Sequence, residues 1–240
     1  MRNIFFLTVA LVGFAIQAQQ LSGTELLEKT ITYHDPDGNW KNFKGQFQIS
    51  MKTPNSSERV SQVHINIPRE HFMLEVAKDN DRYSYILEKD SCQRSLNGKT
   101  SLSSEEIEKF RLSCERGTMF KNYYTYLYGL PMKLKDPGTK IDPVTQKKTF
   151  KGKEYLVLKV TYEKNVGDDT WYFYFDPATY AMEVYQFYHD ESKNDGEYIL
   201  LSGLETINGI NMPKERAWYY NKDDAYLGTD LLEKATGAKD

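Results

Sequence analysis

Four histidines, two cysteines and a few clustered carboxylates are the residues here whose types could do chemistry, and their spacing decides which chemistry. His34, His64, His71 and His189 are scattered, with no two at the spacing that places a pair of metal ligands on one helix face, so each is expected at a surface or in a local hydrogen bond. Asp35, Asp37 and Asn39 begin like a calcium loop, yet Gly38 is misplaced and Gln46 stands where the closing glutamate belongs, which makes the stretch a turn. Gly98, Lys99 and Thr100 look like the end of a phosphate-binding loop, but Gln93 occupies the position of the earlier glycine. No serine sits in a G-x-S-x-G elbow. Asp168 with Asp169, Glu105 with Glu106 and Asp223 with Asp224 are neighbours in polar turns or at a helix start, where solvated charge accounts for them. A glycosidase pair assembled from distant strands would leave no trace in the spacing. The residues therefore predict no catalytic group, no metal site and no cofactor.

The start of the chain sets the compartment. Met1 to Asn3, with the charge of Arg2, lead into an apolar run from Ile4 to Ile16, followed by Ala18 before Gln19. This is a cleavable signal peptide over 1–18, because the run is shorter than the roughly 20 apolar residues a membrane span needs. No cysteine stands near the cleavage region to accept a lipid. The expected location is periplasmic or secreted, with no transmembrane segment in the mature chain. In an oxidising compartment the two cysteines, Cys92 and Cys114, are expected to form a disulfide. A formal net charge of -3 with 27 % charged residues is close to balance, so nucleic acid is not an expected partner. No linker or repeat interrupts residues 19–240, which read as one domain able to bury about 70 % of its unfolded surface.

Periodicity supplies the elements. Ser22 and Glu25 form a capping box before the helical pattern of Leu26, Leu27, Thr30 and Ile31, and Asp35 to Gly38 stop it. The period then changes to two: Phe43, Phe47, Ile49 and Met51 share a face, and Val63, Ile65 and Ile67, Phe72, Leu74 and Val76, and Tyr83, Tyr85 and Leu87 repeat the pattern as a meander. A short strand through Cys92 ends at Asn97 and Gly98. Ser103 and Glu106 make a second capping box, after which Ile107, Phe110 and Cys114 fall on one helical face. Phe120, Tyr123, Tyr124 and Leu127 form a further apolar stripe, ended by Gly129 and Pro131. Strands return from Glu154 to Tyr162, Thr170 to Phe175, Tyr180 to Tyr188, Glu197 to Ile207, Ile210 to Tyr220 and Tyr226 to Leu232. Asn208 and Gly209 suit a two-residue hairpin, and Pro213 implies an edge or a bulge.

The later strands are apolar on both faces, most plainly in Trp171, Tyr172, Phe173, Tyr174 and Phe175. One face fills the core; the other is either a second covered layer or a concave surface for an apolar ligand. With the turn Phe175, Asp176, Pro177, Ala178, Thr179 and Tyr180 and the stretch YYTYLYGLPMKL from Tyr123 to Leu134, this layout resembles the periplasmic lipoprotein-carrier superfamily of LolA and LolB. The resemblance covers nearly all of residues 19–240. It implies a mainly β fold with some α (α+β): a curved, incomplete antiparallel barrel of about ten or eleven strands closed by a few helices, with a concavity that receives acyl chains. Phe43, Phe47, Phe72, Tyr85, Trp171, Phe173, Phe175, Tyr185, Phe187 and Trp218 would line it. No residue is assigned to the single buried arginine of that family.

The leading expectation is a soluble exported envelope protein, not an enzyme, that binds a lipid or lipoprotein acyl chain in the concavity. A protein-interaction module with a filled interior is the rival, and a hydrolase of unknown type ranks last. An open cavity separates the first from the second.

Overall fold

Ser22 accepts a hydrogen bond from the Glu25 backbone N–H, and the Glu25 carboxylate accepts one from the Ser22 backbone N–H at 2.8 Å. That reciprocal cap starts α1 (Gly23–His34) in the computed structural model, which describes residues 20–237. The expected signal peptide lies outside the described residues. α1 buries Leu26, Leu27, Thr30 and His34 and packs on the second half of the sheet.

The first meander is β1 (Lys44–Thr53), β2 (Ser56–Asn66), β3 (His71–Lys78), β4 (Asp81–Glu88) and β5 (Ser91–Leu96). Two helices follow, α2 (Ser104–Lys109) and α3 (Cys114–Gly129). The second run is β6 (Thr139–Ile141), β7 (Gln146–Phe150), β8 (Lys153–Tyr162), β9 (Thr170–Phe175), β10 (Met182–Tyr188), β11 (Glu197–Ile207), β12 (Ile210–Tyr220) and β13 (Tyr226–Gly237). All pairs are antiparallel, in the order β5-β4-β3-β2-β1-β13-β12-β11-β10-β9-β8-β6, with β7 also on β8. The last strand returns to the first, joining both runs into one curved sheet that does not close into a barrel.

The sheet has 13 strands rather than ten or eleven. The two extra ones, β6 and β7, are three and five residues long, and QKKTF shows too little apolar alternation to read as a strand. The hairpin turns follow the residues: Asn97, Gly98, Asn208 and Gly209 all have positive φ, as a type I′ connection requires. Pro213 lies on β12 beyond the last residue paired with β13, Glu215, so its missing N–H costs no ladder bond on that side.

The second helical segment differs from its sequence reading. Ile107, Phe110 and Cys114 do not share one helix, because α2 ends at Lys109, Arg111 takes φ 53° and Ser113 caps a new helix by accepting from the Arg116 N–H. Cys114 is thus the first residue of α3, where it is disulfide-bonded to Cys92 on β5. The same corner is held by Arg94, which donates to Leu112 O at 2.9 Å, and by the Tyr85 hydroxyl, which donates to Arg111 O at 3.0 Å. Gly117 lets α3 approach the sheet, since a Cβ there would meet the Tyr85 ring at 2.7 Å. Opening the disulfide in a Cys92→Ser, Cys114→Ser variant is expected to lower stability by about 3 kcal/mol from chain entropy over a separation of 22 residues. Urea unfolding measures it, and a midpoint equal to wild type would show the linkage to be energetically idle.

Alternation in the strands sorts side chains into an inner face, under α1 and α3, and an outer face. Inward residues include Phe47, Ile49, Val63, Phe72, Leu74, Tyr85, Leu158, Phe173, Tyr185 and Ile199, all 2 % exposed or less and all in one core cluster with the helices. Tyr155, Val157, Tyr172, Tyr174 and Val184 form a separate outer cluster, partly covered by Phe150. The double-sided aromaticity of WYFYF is therefore two packed layers back to back.

His34 ties α1 to this sheet. Its Nδ1 faces Asn211 O at 2.7 Å while its Nε2 accepts from the Met182 backbone N–H at 3.0 Å, which requires a neutral ring with the proton on Nδ1. Burial holds its pKa below the ordinary histidine value, opposed by the bond to Asn211. A depressed folded pKa means the unfolded chain binds the proton more tightly. The contribution is complete above the unfolded value of about 6.5 and is lost as pH falls from there through the folded value. Urea midpoints between pH 7.5 and pH 5 should decline, and a His34→Ala variant should decline less. His34→Ala should itself cost about 1–3 kcal/mol for each orphaned backbone group. An equal slope in both proteins would exclude His34 as a source of the acid sensitivity.

Candidate functional site

A cavity of about 660 Å³ lies between α3 and the second half of the sheet. α3 contributes Met119, Asn122, Tyr123 and Tyr126 to one wall; Tyr162 on β8 and Trp171 on β9 form the wall opposite. The floor and rim come from Lys133, Asp136 and Pro137, from Thr139 on β6, and from Val166, Gly167 and Asp169 in the β8–β9 connection.

Helical spacing explains the first wall: Met119, Asn122, Tyr123 and Tyr126 recur at three- and four-residue intervals on one face of α3. Strand pairing explains the second, because Trp171 lies between Val160 and Phe187 in register and stacks on Phe187 at 4.8 Å. Tyr126 sits edge-on to Trp171 at 5.7 Å, and its hydroxyl bonds that of Tyr162 at 2.5 Å. Burial pushes the Tyr162 phenol up to about 12 and raises that of Tyr126 well above the ordinary phenol value. Both phenols are therefore neutral at physiological pH and offer no base to a substrate.

Charge is confined to the rim. Lys133 pairs with Asp136, and Asp169 accepts from His189 Nδ1 at 2.6 Å, a bond that raises the His189 pKa. Met119 and Val166, 48 % and 53 % exposed, present apolar surface at the mouth. The site is thus an aromatic slot with a polar edge. Its volume falls within the roughly 300–1,000 Å³ of small-molecule pockets. Among the described residues no cluster of histidine, cysteine, aspartate and glutamate could hold a metal ion.

Of the aromatics expected to line a concavity, the structure brings all ten toward the interior. Trp171 alone of them lines this cavity, and Phe72 borders a smaller one of about 260 Å³ beside Trp40 and His71. Phe43, Phe47, Tyr85, Phe173, Phe175 and Tyr185 are at most 1 % exposed and fill the core, while Phe187 and Trp218 are half-buried beside it. The residues missed are Met119, Tyr126, Tyr162 and Val166. The Tyr123 and Tyr126 spacing in YYTYLY carried a signal, but it reads equally as a packing stripe.

Arg216 was also missed. It is 1 % exposed on the inner face of β12, with its guanidinium 4.1 Å over the Tyr128 ring. One arginine nitrogen donates to Pro213 O at 3.0 Å and another to Leu127 O on α3 at 3.4 Å. The alternation Met212, Arg216, Trp218 put it on the inward register, a signal that only a strand with known faces makes legible.

Solved structures share this architecture. A LolA superfamily protein from Nitrosomonas europaea superposes with a TM-score of 0.54 at 11% identity, over 92% of this chain and 94% of that one. A Vibrio parahaemolyticus domain named for outer membrane lipoprotein sorting gives 0.52 at 10% identity, over 90% and 92%. A DUF1329 family protein from Desulfovibrio piger gives 0.50 at 8% identity, over 90% and 91%. The fold is that of the LolA superfamily. No curated protein matches the sequence. A family model does match, over residues 2–234, and the chain belongs to that family of unknown function, DUF6503.

Proposed function

We propose that this protein binds an apolar or amphipathic ligand, a lipid or a lipoprotein acyl chain, in the slot between α3 and strands β8 and β9, and acts by binding rather than by catalysis. The observation that carries the reading is the cavity itself: about 660 Å³, walled by Tyr123, Tyr126, Tyr162 and Trp171, and open at an apolar mouth. Apolar burial at about 25 cal/mol per Å² supplies the driving force. A filled interaction module would need no such void.

Export to the periplasm or the exterior belongs to the same proposal, supported by the Cys92–Cys114 disulfide and by the N-terminal sequence. No helix among the described residues is long and apolar enough to cross a membrane. The kinship in fold with a LolA superfamily protein and with a domain named for lipoprotein sorting agrees with a carrier role. Native mass spectrometry of protein purified from its own envelope is the test. A co-purifying lipid mass, displaced by a fluorescent fatty acyl probe, is expected. An empty protein that leaves the probe's emission unchanged would end the proposal.

A further inference from the structure

We propose that the buried cluster around Arg216 is the polar end of this site and takes the carboxylate of a long single-chain amphiphile, such as a free fatty acid. The inference rests on the cavity reading above and adds a head group to it.

The cluster is under-bonded in a specific way. Arg216 uses two of its nitrogens on Pro213 O and Leu127 O, but its Nε, fully buried, has no hydrogen-bond partner. The hydroxyls of Tyr128 and Tyr185, 2 % and 0 % exposed as residues, are likewise buried without a partner of good geometry. Both tyrosines feel the Arg216 charge, and the Tyr185 hydroxyl also lies within reach of its guanidinium. Buried donors left unpaired are costly, and native folds keep few of them.

Charge points the same way. Asp230, 5 % exposed, stands directly across from Arg216 on β13 and accepts from Trp218 Nε1 at 3.2 Å. Arg59, on the inner face of β2, also acts on Asp230, and its own Nε is buried and unpartnered. Burial disfavours the ionised form of the Asp230 carboxyl, while the charges of Arg59 and Arg216 favour it without either forming an ion pair with it. With Arg216 fully buried and unpaired by any carboxylate among the described residues, a bound anion would satisfy its charge. A carboxylate is a small planar acceptor that one N–H and two hydroxyls can satisfy together, whereas an alcohol or an ester brings no charge.

The cavity adjoins the cluster through a single packed layer of rings. Tyr123 lines the cavity and stacks on Trp218 at 6.5 Å, and Trp171 lines it and lies 6.2 Å from Tyr185. One layer of rings separates the slot from the guanidinium. An acyl chain lying along Tyr126 and Trp171 would carry its polar end to that layer, and a parting of Tyr123 from Trp218 on binding would deliver it to Arg216.

The experiment compares oleic acid, oleyl alcohol and methyl oleate on the delipidated protein, each displacing a neutral fluorescent acyl probe. Oleic acid is expected to bind at least about tenfold tighter than the other two, the effect of hydrogen bonds to a charged group. A Tyr128→Phe, Tyr185→Phe double variant keeps every ring, and is expected to lose most of that preference while holding its affinity for the alcohol. Arg216→Met should lose it too; if that variant does not fold, the tyrosine pair decides. Equal affinities for the three lipids, or an intact preference in the double variant, would overturn the head-group site and leave the lipid reading standing. Failure of all three to bind would remove both.

Discussion

A Thr139→Trp variant is expected to fold normally and to lose ligand binding by at least about tenfold, or about 1.4 kcal/mol. Thr139 begins β6, a three-residue edge strand that pairs with β8 alone, and its half-buried side chain faces the cavity. An indole projecting from there occupies volume that an acyl chain needs, opposite the Tyr126 and Trp171 rings. Because the site is already empty space at a sheet edge, the substitution does not overpack the core, and stability should stay within about 1 kcal/mol. Titration with an extrinsic acyl probe reads the affinity, and urea unfolding reads the fold. A folded variant with wild-type affinity would place the ligand elsewhere on the molecule.

Phe47→Ala is expected to have the opposite signature, a loss of about 3–5 kcal/mol of stability. Phe47 is 1 % exposed and lies between two rings, Phe43 at 5.7 Å and Tyr128 at 4.7 Å. Removing it strips contacts from a stack that continues through Tyr128 to the Arg216 guanidinium. The void it leaves is ringed by groups that cannot close in, since Tyr128 is held on α3 and Phe43 is anchored beside Trp40. Denaturant midpoints at constant m-value measure the cost. A loss under about 1 kcal/mol would mean that the interior near Phe47 is hollow, and that this ring lines a ligand space as the LolA and LolB resemblance implies.

The contrast between these two variants reflects how the site could be read. Trp171, Phe173 and Phe175 alternate with Tyr172 and Tyr174, so the sequence places the first three on one face. It does not say how deep a second layer covers that face. α3 lies close over the first half of the sheet, where Gly117 admits it against Tyr85, and it stands off from β8 and β9, where the cavity opens. Phe47 and Trp171 belong to the same periodic class but meet different neighbours. The cavity's own residues come from four separate segments, around Met119 to Tyr126, Lys133 to Thr139, Tyr162 and Val166 to Trp171. No spacing within any one of them announces a shared site.

The same division runs through the polar groups. Capping boxes at Ser22 and Ser103, the Asn-Gly hairpins and the alternation of nearly every strand are short-range chemistry, set by neighbours within about four residues, and the residues alone determined them. The Cys92–Cys114 bond followed from composition and the expected compartment. The pairing of β13 with β1, the burial of Arg216 opposite Asp230, and the gap beneath α3 bring together residues far apart in the chain. Only the tertiary structure decided those, because whether a side chain fills a core or borders a void depends on the distance to a surface that another part of the chain supplies.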